Sequence, residues 1–341
     1  MSFNFISSFT YIRPIFAWLS SIYVFFCSLF CLRHNITVVS TPSYNGLILS
    51  RIARVILSSA PPNSFICNRT YFLQPSRCYI LIHHALLPSF ITNNRFSNLN
   101  RVCLWYTHED YRTKVISKFN IHFKNLMFIF CTNNRLKEFL ISEYGIPKEK
   151  ILVFIGGYDE NIYNYCSVPK LNDRKLIGLV SRADPRKNPV LLINLIKISP
   201  QLDFLLIGSN WENWDYFTEL VKFPNFYYVN PIDFKDLAFF YHEFDVFLSL
   251  STNEGGPIPL LEAMASGCCP VVSDVGFSDS VIINSKNGFT FSPYSNVDEI
   301  SSIISLALLS NISPLEISNS VSKFTWDYLG LNIVNSVKKF L

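Results

Sequence analysis

Two glutamates, Glu254 and Glu262, stand in the stretch STNEGGPIPLLEAMASG, whose remaining residues from Pro257 onward are apolar or small. A carboxylate on an apolar helix is costly to bury without partners. An internal Arg or Lys would satisfy Glu262. So would two hydroxyls of a bound ribose, the part an acidic residue plays in dinucleotide-binding folds. The residues alone leave both open. Gly255 and Gly256 come just before the expected helix. Their bare backbone would let an anion approach its amino end, where unbonded N–H groups and the helix dipole favour negative charge. The pair also reads as a tight turn. Pro257 is expected at the first helical position, where its missing N–H costs nothing. Glu254, in the loop, would lie near a sugar attached to a phosphate held on the glycines.

A second group follows the apolar run LIGLVS and reads SRADPRKNPVLL. Arg182 and Lys187 flank an Asp-Pro turn, and Asn188-Pro189 is expected to cap the next helix. Two cations at the end of a strand suit a diphosphate, Arg by a bidentate contact and Lys as a point charge. A solvated basic loop is the plainer alternative, and Arg186 is expected to keep it by pointing outward. A third group lies in LWYTHED and LIHHALLP, where His108, His83 and His84 follow two neighbouring apolar runs. A lone histidine is usually structural; three at adjacent strand ends suggest a polar wall.

These groups need strands that end together. Short apolar runs alternate with helical periodicity along the chain. Strands are expected at Ile36–Ser40, Cys78–Ile82, Val102–Thr107, Leu126–Cys131, Ile151–Ile155, Leu176–Ser181, Phe204–Ile207, Phe226–Val229, Asp245–Leu250 and Cys269–Ser273, with helices such as Asn134–Tyr144 and Pro189–Ile198 between them. That rhythm predicts an α/β protein with parallel sheets covered by helices. The strands are too many for one comfortable doubly wound sheet, and the polar interval Tyr158–Lys175 is the natural place to divide them. Ligands in such sheets gather beyond the carboxyl ends of the strands.

The chain has 341 residues, with 49% hydrophobic, 16% charged and a net charge of +4. This length supports two domains with cores of their own. So mild a balance, with no basic stripe interleaved with aromatics, argues against nucleic acid. The 9 cysteines include no CxxC pair, which points to reduced thiols rather than a disulfide framework or a metal site. Asn35, Asn68 and Asn311 begin N-x-[ST] sequons, which matter only in a secreted protein. Phe3–Ile6 reads as a first strand. Ile15–Leu32 carries no charged residue and reaches the length of a membrane span. It reads either as a buried or membrane-facing helix of a β-α-β unit or as a true span; a cleaved signal peptide fits less well.

Taken together, the motifs resemble retaining glycosyltransferases of the GT-B fold, in particular the large family 4 of nucleotide-sugar-dependent enzymes. The similarity runs from about Ile36 onward. Its strongest element is the Glu254–Glu262 spacing inside EGGPIPLLEAMASGCCPVVSDVG, followed by NGFTFSP. SRADPRKNPVLL, EYGIPKEKILVFIGGYDENIY and DLAFFYHEFDVFLSLSTNEG also match. The resemblance implies two Rossmann-like domains facing a cleft: residues 1–168 on the acceptor side, 169–325 on the donor side, and 326–341 crossing back to the first. It implies that Arg182 and Lys187 bind the donor diphosphate and stabilise the leaving group. Glu262 would hold the ribose, and Glu254 the donor sugar near the reacting carbon. Gly255, Gly256, Pro257 and Ile258 would cradle sugar and phosphate, the N–H groups coming from the glycines and Ile258. His108 would position the sugar ring. The sequence departs from the family in three places. The first loop reads SSFTYIRP where the family carries glycines. FIGGYD stands for the usual PNGVD. Phe277 and Ser280, with Asp279 adjacent, follow SDVG where Gly and Glu are usual.

The expected activity is transfer of a sugar from a nucleotide-diphosphate donor to a hydroxyl of a glycan or lipid-linked acceptor with retention of configuration, in surface polysaccharide biosynthesis. No D-x-D occurs, so no metal or other cofactor is expected. Two alternatives stand beside it. One is a GT-B-like epimerase or phosphorylase, which would act on donor without acceptor or depend on inorganic phosphate. The other is a degenerate partner subunit, which would bind neither UDP nor GDP. The expected setting is cytoplasmic, with peripheral contact at the inner face of the membrane.

Overall fold

A computed structural model describes residues 17–23, 34–40, 48–94, 98–107, 120–167, 169–171 and 174–341. The expected strand Phe3–Ile6, most of Ile15–Leu32, the SSFTYIRP loop and His108 lie outside the described residues. The chain divides into two compact units, Met1–Phe154 with Trp326–Leu341, and Ile155–Thr325.

The first unit is built on six parallel strands: β1 (His34–Val39), β2 (Phe65–Cys67), β3 (Ser76–Leu81), β4 (Val102–Tyr106), β5 (Phe128–Cys131) and β6 (Ile151–Val153). Their order is β2-β1-β3-β4-β5-β6. β4 is buried along its whole length, as a strand covered on both faces must be. The helix Asn134–Tyr144 opens where Leu136 N–H donates to Asn133 Oδ1 at 2.8 Å, and the helix Ile48–Ser59 packs beside β1 and β2.

The second unit repeats the plan with β7 (Leu176–Val180), β8 (Asp203–Ile207), β9 (Phe226–Val229), β10 (Val246–Ser249), β11 (Cys269–Ser273) and β12 (Phe289–Phe291), ordered β12-β11-β10-β7-β8-β9. Alternation along each strand feeds two cores. Phe204, Leu206, Val246 and Leu248 enter one, with Trp211 and Ile300. Leu205, Ile207 and Phe247 enter the other, with Tyr241, Phe244, Leu260 and Met264. The helix Val297–Leu309 begins with a capping box between Asn296 and Glu299.

The ten strands expected from Ile36 onward are all present. β2 and β12 were not expected: each is a three-residue edge strand, too short to carry a period. The division of the chain falls after Phe154 rather than after residue 168. The intervening residues are tied into the second unit. Tyr158 N–H donates to Phe324 O at 3.0 Å, and Tyr163 is buried against Tyr241. The segment from Trp326 groups with the first unit, where the helix Trp326–Val337 packs along Ile48–Ser59 and Arg51 lies 5.1 Å from the Trp326 ring. Among the described residues no single helix is long and apolar enough to cross a membrane. The pair Val297–Leu309 and Pro314–Ser320 passes by length and composition together but is bent by 111°.

Candidate functional site

In the second sheet, β7 and β10 are neighbours from which the strand order departs in opposite directions. The loops leaving the carboxyl ends of two such strands diverge and leave a crevice between them. The loop after β7 carries Arg182, Arg186 and Lys187, and the loop after β10 carries Ser251–Gly256. Sequence motifs about 70 residues apart therefore meet for a topological reason.

They meet in one ion cluster. Lys187 Nζ pairs with Glu254 Oε1 in a short contact and donates to Ser251 Oγ at 3.3 Å. Arg186 Nη1 takes the other carboxylate oxygen, Glu254 Oε2, at 3.4 Å and donates to Asn253 O at 3.1 Å. Its Nε donates to Asp184 Oδ1 at 3.0 Å. The backbone joins the loops too, Thr252 N–H donating to Arg186 O at 2.8 Å. The Glu254 side chain is only 10% exposed and that of Lys187 19%, so water screens the pair weakly. Arg186 was expected to point outward. It is 42% exposed, yet its charged end turns back onto Glu254, because Asp184 and Asn253 O give the guanidinium fork a fixed frame. Arg182 is exposed and forms no ion pair among the described residues.

The turn itself is set by Asp184 and Asn188. Asp184 accepts from Arg186 N–H at 3.0 Å. Burial pushes its carboxyl up, but that hydrogen bond and the charges of Arg186 and Lys187 outweigh it and hold the group below its ordinary value. Asn188 does not cap the next helix with its side chain, contrary to expectation. It takes a left-handed conformation, φ +54°, that turns the chain into Pro189–Ile198.

The helix Ile258–Ala265 follows directly from the loop that carries Glu254. Pro257 is its N-cap residue rather than its first helical residue, and Pro259 occupies the first turn, where no N–H is missed. Gly255 and Gly256 lie in the half-exposed loop before it. Glu262 is buried at 5% exposure on the same helix and accepts from Tyr241 Oη at 3.1 Å. Burial, then the Glu262 charge, push the Tyr241 phenol well above its ordinary value, so it stays a donor.

Two supports were missed from the sequence. Gly276, after β11, has φ +62°, and a Cβ there would come within 3.0 Å of Pro257 Cδ and 3.3 Å of Glu254 Cβ. The SDVG run thus closes over the glutamate loop at a position only glycine fits. Gly156, in the FIGGYD departure, lies against Ile258, where an added Cβ would approach Cδ1 to 2.3 Å. The altered motif abuts the start of the helix Ile258–Ala265. In the first unit His84 is buried, its ring stacked 4.2 Å from His83 and 4.9 Å from Tyr106. His83 Nδ1 accepts from Ala85 N–H at 3.1 Å. His84 is a core ring and His83 a turn cap. Among the described residues no group of His, Cys, Asp and Glu could hold a metal ion.

Residues 167–324 match the family described as glycosyl transferases group 1. The chain is 25% identical over 151 residues to the O-antigen biosynthesis glycosyltransferase WbnH of Escherichia coli, covering 43% of this chain and 42% of that protein. It is 25% identical over 242 residues to the Escherichia coli UDP-Gal:alpha-D-GlcNAc-diphosphoundecaprenol alpha-1,3-galactosyltransferase, covering 62% and 58%. The matches thus span less than two thirds of either relative. The structure of Anabaena HepE in complex with UDP and glucose superposes with a TM-score of 0.70 at 14% identity, over 90% of this chain and 100% of that one. The chain thus has the GT-B fold, and its residues 167–324 are similar to glycosyl transferases group 1.

Proposed function

We propose that this protein is a retaining glycosyltransferase that moves a sugar from a nucleotide-diphosphate donor to a hydroxyl of a glycan or lipid-linked acceptor in surface polysaccharide biosynthesis. One observation carries the reading. Lys187 and Glu254 are joined at the carboxyl ends of β7 and β10, beside the amino end of the helix that buries Glu262. The names of the O-antigen relatives and the UDP and glucose in the HepE complex agree with it.

Sugar transfer separates charge: a diphosphate departs while the sugar becomes oxocarbenium-like. Arg182 and Lys187 meet the growing negative charge, together with the N–H groups of Gly255, Gly256 and Ile258. Engaging Lys187 loosens its hold on Glu254 Oε1. Arg186 still holds Oε2, so Glu254 remains compensated and can turn to the donor sugar. Glu262, oriented by Tyr241, accepts the ribose hydroxyls. His108, which lies outside the described residues, would position the sugar ring, as the resemblance implies. The bond from the anomeric carbon to the phosphate oxygen breaks, and the bond to the acceptor oxygen forms on the same face. The acceptor proton passes to the departing phosphate oxygen, so no separate base and no metal are required. The enzyme works in the cytoplasm, peripherally at the membrane that carries its acceptor.

A thermal-shift panel of UDP, GDP, ADP and CMP sugars tests this, since a ligand of the folded state raises the midpoint by mass action. One nucleotide-diphosphate class should stabilise the protein and support product formation only with an acceptor present. Stabilisation by none, or an epimer formed from donor alone, would overturn it.

A further inference from the structure

A cavity of about 240 Å³ lies within the second unit, at the amino ends of β7, β10 and β11. Lys187 and Glu254 meet at the other ends of these strands, so the cavity is a separate place. Two ammonium groups converge on its border. Lys170 Nζ lies 3.2 Å and Lys175 Nζ 3.1 Å from the same oxygen, Asp245 Oδ1. Asp245 Oδ2 accepts from Leu176 N–H at 2.8 Å, and the neighbouring Glu243 accepts from Leu171 N–H at 2.9 Å. Lys170 also donates to Phe244 O at 2.7 Å. One carboxylate oxygen thus serves two lysines, and an ammonium carries three donors, so both have donors left for an anion. Burial holds His242, which also borders the cavity, below its ordinary value, so it adds no charge at neutral pH.

The bend between the helices Val297–Leu309 and Pro314–Ser320 supplies an apolar wall, with Leu308, Ile312, Pro314 and Ile317. Cationic and apolar surfaces therefore face one space. An apolar cavity of about 150 Å³ accepts benzene, so this one holds roughly ten heavy atoms. Tyr241 and Ser266 also border it, and both lead to Glu262. The Tyr241 hydroxyl donates to Glu262 Oε2 at 3.1 Å, and Ser266 N–H donates to Glu262 O at 3.1 Å, one helical turn on. The Ser266 hydroxyl is buried and has no hydrogen-bond partner among the described residues. Gly267, with φ +82°, seats this end of the helix so closely that an added Cβ would come within 2.6 Å of Tyr165 Cδ2 and 3.1 Å of Pro314 Cβ. The wall of the cavity and the support of Glu262 are thus the same residues.

We propose that this cavity binds a small organic anion, an acidic head on an apolar or aromatic body, and that its occupant tightens nucleotide binding through Tyr241. The head meets Lys170 and Lys175, which act as point charges beside Asp245. The body lies on Ile312, Pro314 and Ile317. A neutral apolar molecule would leave the lysines unused, and a cation would be repelled by them. An occupant fills the space beside the Tyr241 ring and holds its phenol on Glu262. A carboxylate oriented in advance binds its partner more tightly, because less freedom is lost on binding. Coupling between two sites is reciprocal, so the nucleotide should tighten the anion by the same factor. The anion site stands on its own residues, whereas the coupling rests on the reading that Glu262 meets the ribose.

The test is titration calorimetry of the full chain with phenyl phosphate, compared with inorganic phosphate and with benzyl alcohol, and repeated in the presence of UDP or GDP. Phenyl phosphate should bind more tightly than either of its halves. K170A/K175A removes the two cations, and S310W fills the cavity that Ser310 borders. Each should weaken phenyl phosphate about tenfold or more, the scale of a lost hydrogen bond to a charged group. Neither change lies at the crevice of Lys187 and Glu254, so both variants should bind nucleotide alone like the wild type, which also shows that they fold. Saturating phenyl phosphate should lower the nucleotide Kd about fivefold. Y241F should still bind phenyl phosphate but lose that effect. No binding of phenyl phosphate, or equal binding by wild type, K170A/K175A and S310W, would overturn the site. A nucleotide Kd that phenyl phosphate leaves unchanged would overturn the coupling. Phenyl phosphate bound as described, with neither UDP nor GDP bound, would overturn the coupling and the transferase reading together and leave the anion site standing.

Discussion

Lys187 is bonded to Glu254 and Ser251 rather than left to solvent, and that changes what its removal should do. Lys187→Ala deletes a cation from the proposed diphosphate clamp. It should lower kcat/KM on the order of a hundredfold, in line with the loss of one preorganised transition-state donor. Steady-state kinetics with the identified donor checks this, and a loss of less than about threefold would remove Lys187 from the clamp. Tyr241 offers a second point of attack. Tyr241→Phe leaves Glu262 buried without the phenol's hydrogen bond, at a cost of roughly 1.5–3 kcal/mol for a bond to a charged group. Loss of orientation at Glu262 should also weaken UDP binding. Titration calorimetry with UDP, beside a denaturant curve, separates the two effects. Unchanged affinity would mean that Glu262 does not meet the ribose.

Loops rather than side chains alone build the cluster. Gly276 bends over Pro257 and Glu254 with a positive φ. Gly276→Ala adds a strained conformation and a Cβ against Pro257. It should cost at least about 1 kcal/mol of stability and lower kcat by displacing Glu254. A fall in melting temperature together with kcat is the expected result. The turn after β7 carries a pH signature. Asp184 is held below its ordinary 3.8 although burial opposes this, because Arg186 and Lys187 favour its charged form. A depressed folded value means that the stabilisation is fully present above the unfolded value and is lost as pH falls through the folded one. Asp184→Asn should therefore be less stable than wild type at neutral pH, with the gap closing below pH 3.8. A pH series of unfolding midpoints shows whether it closes on the acid side.

Thiol chemistry reports on the cores of both units at once. Burial pushes Cys131, in the first unit, up to about 12, and raises Cys268, in the second, well above its ordinary value. Cys166 is exposed. The thiolate is the reacting form, so native protein at neutral pH should be alkylated at Cys166 long before Cys131 or Cys268. Mass spectrometry after brief iodoacetamide treatment reads the order, and denaturant should abolish it. Equal labelling in the native state would mean that one sheet is open to solvent. The distribution of charge is likewise a property of the whole chain: one sum over 341 residues made it look mild, while its first third holds no acid.

The positions of the parallel strands were legible because each is a short apolar run bounded by polar turns, as β4, buried throughout, illustrates. The Glu254–Glu262 stretch was legible because a carboxylate on an apolar helix is expensive and must have a partner. The three-residue strands β2 and β12 were not, since they are too short for any period and exist by pairing with β1 and β11. Nor was the turn of Arg186 onto Glu254, or the closure of Gly276 over Pro257. These contacts join residues far apart in sequence, and local pattern holds no record of who meets whom. The sequence by itself determined which segments become strands and helices and which side chains carry chemistry, because burial and periodicity act locally. Only the tertiary structure decided that the loops after β7 and β10 share one crevice, because that follows from the sheet's order and not from either loop.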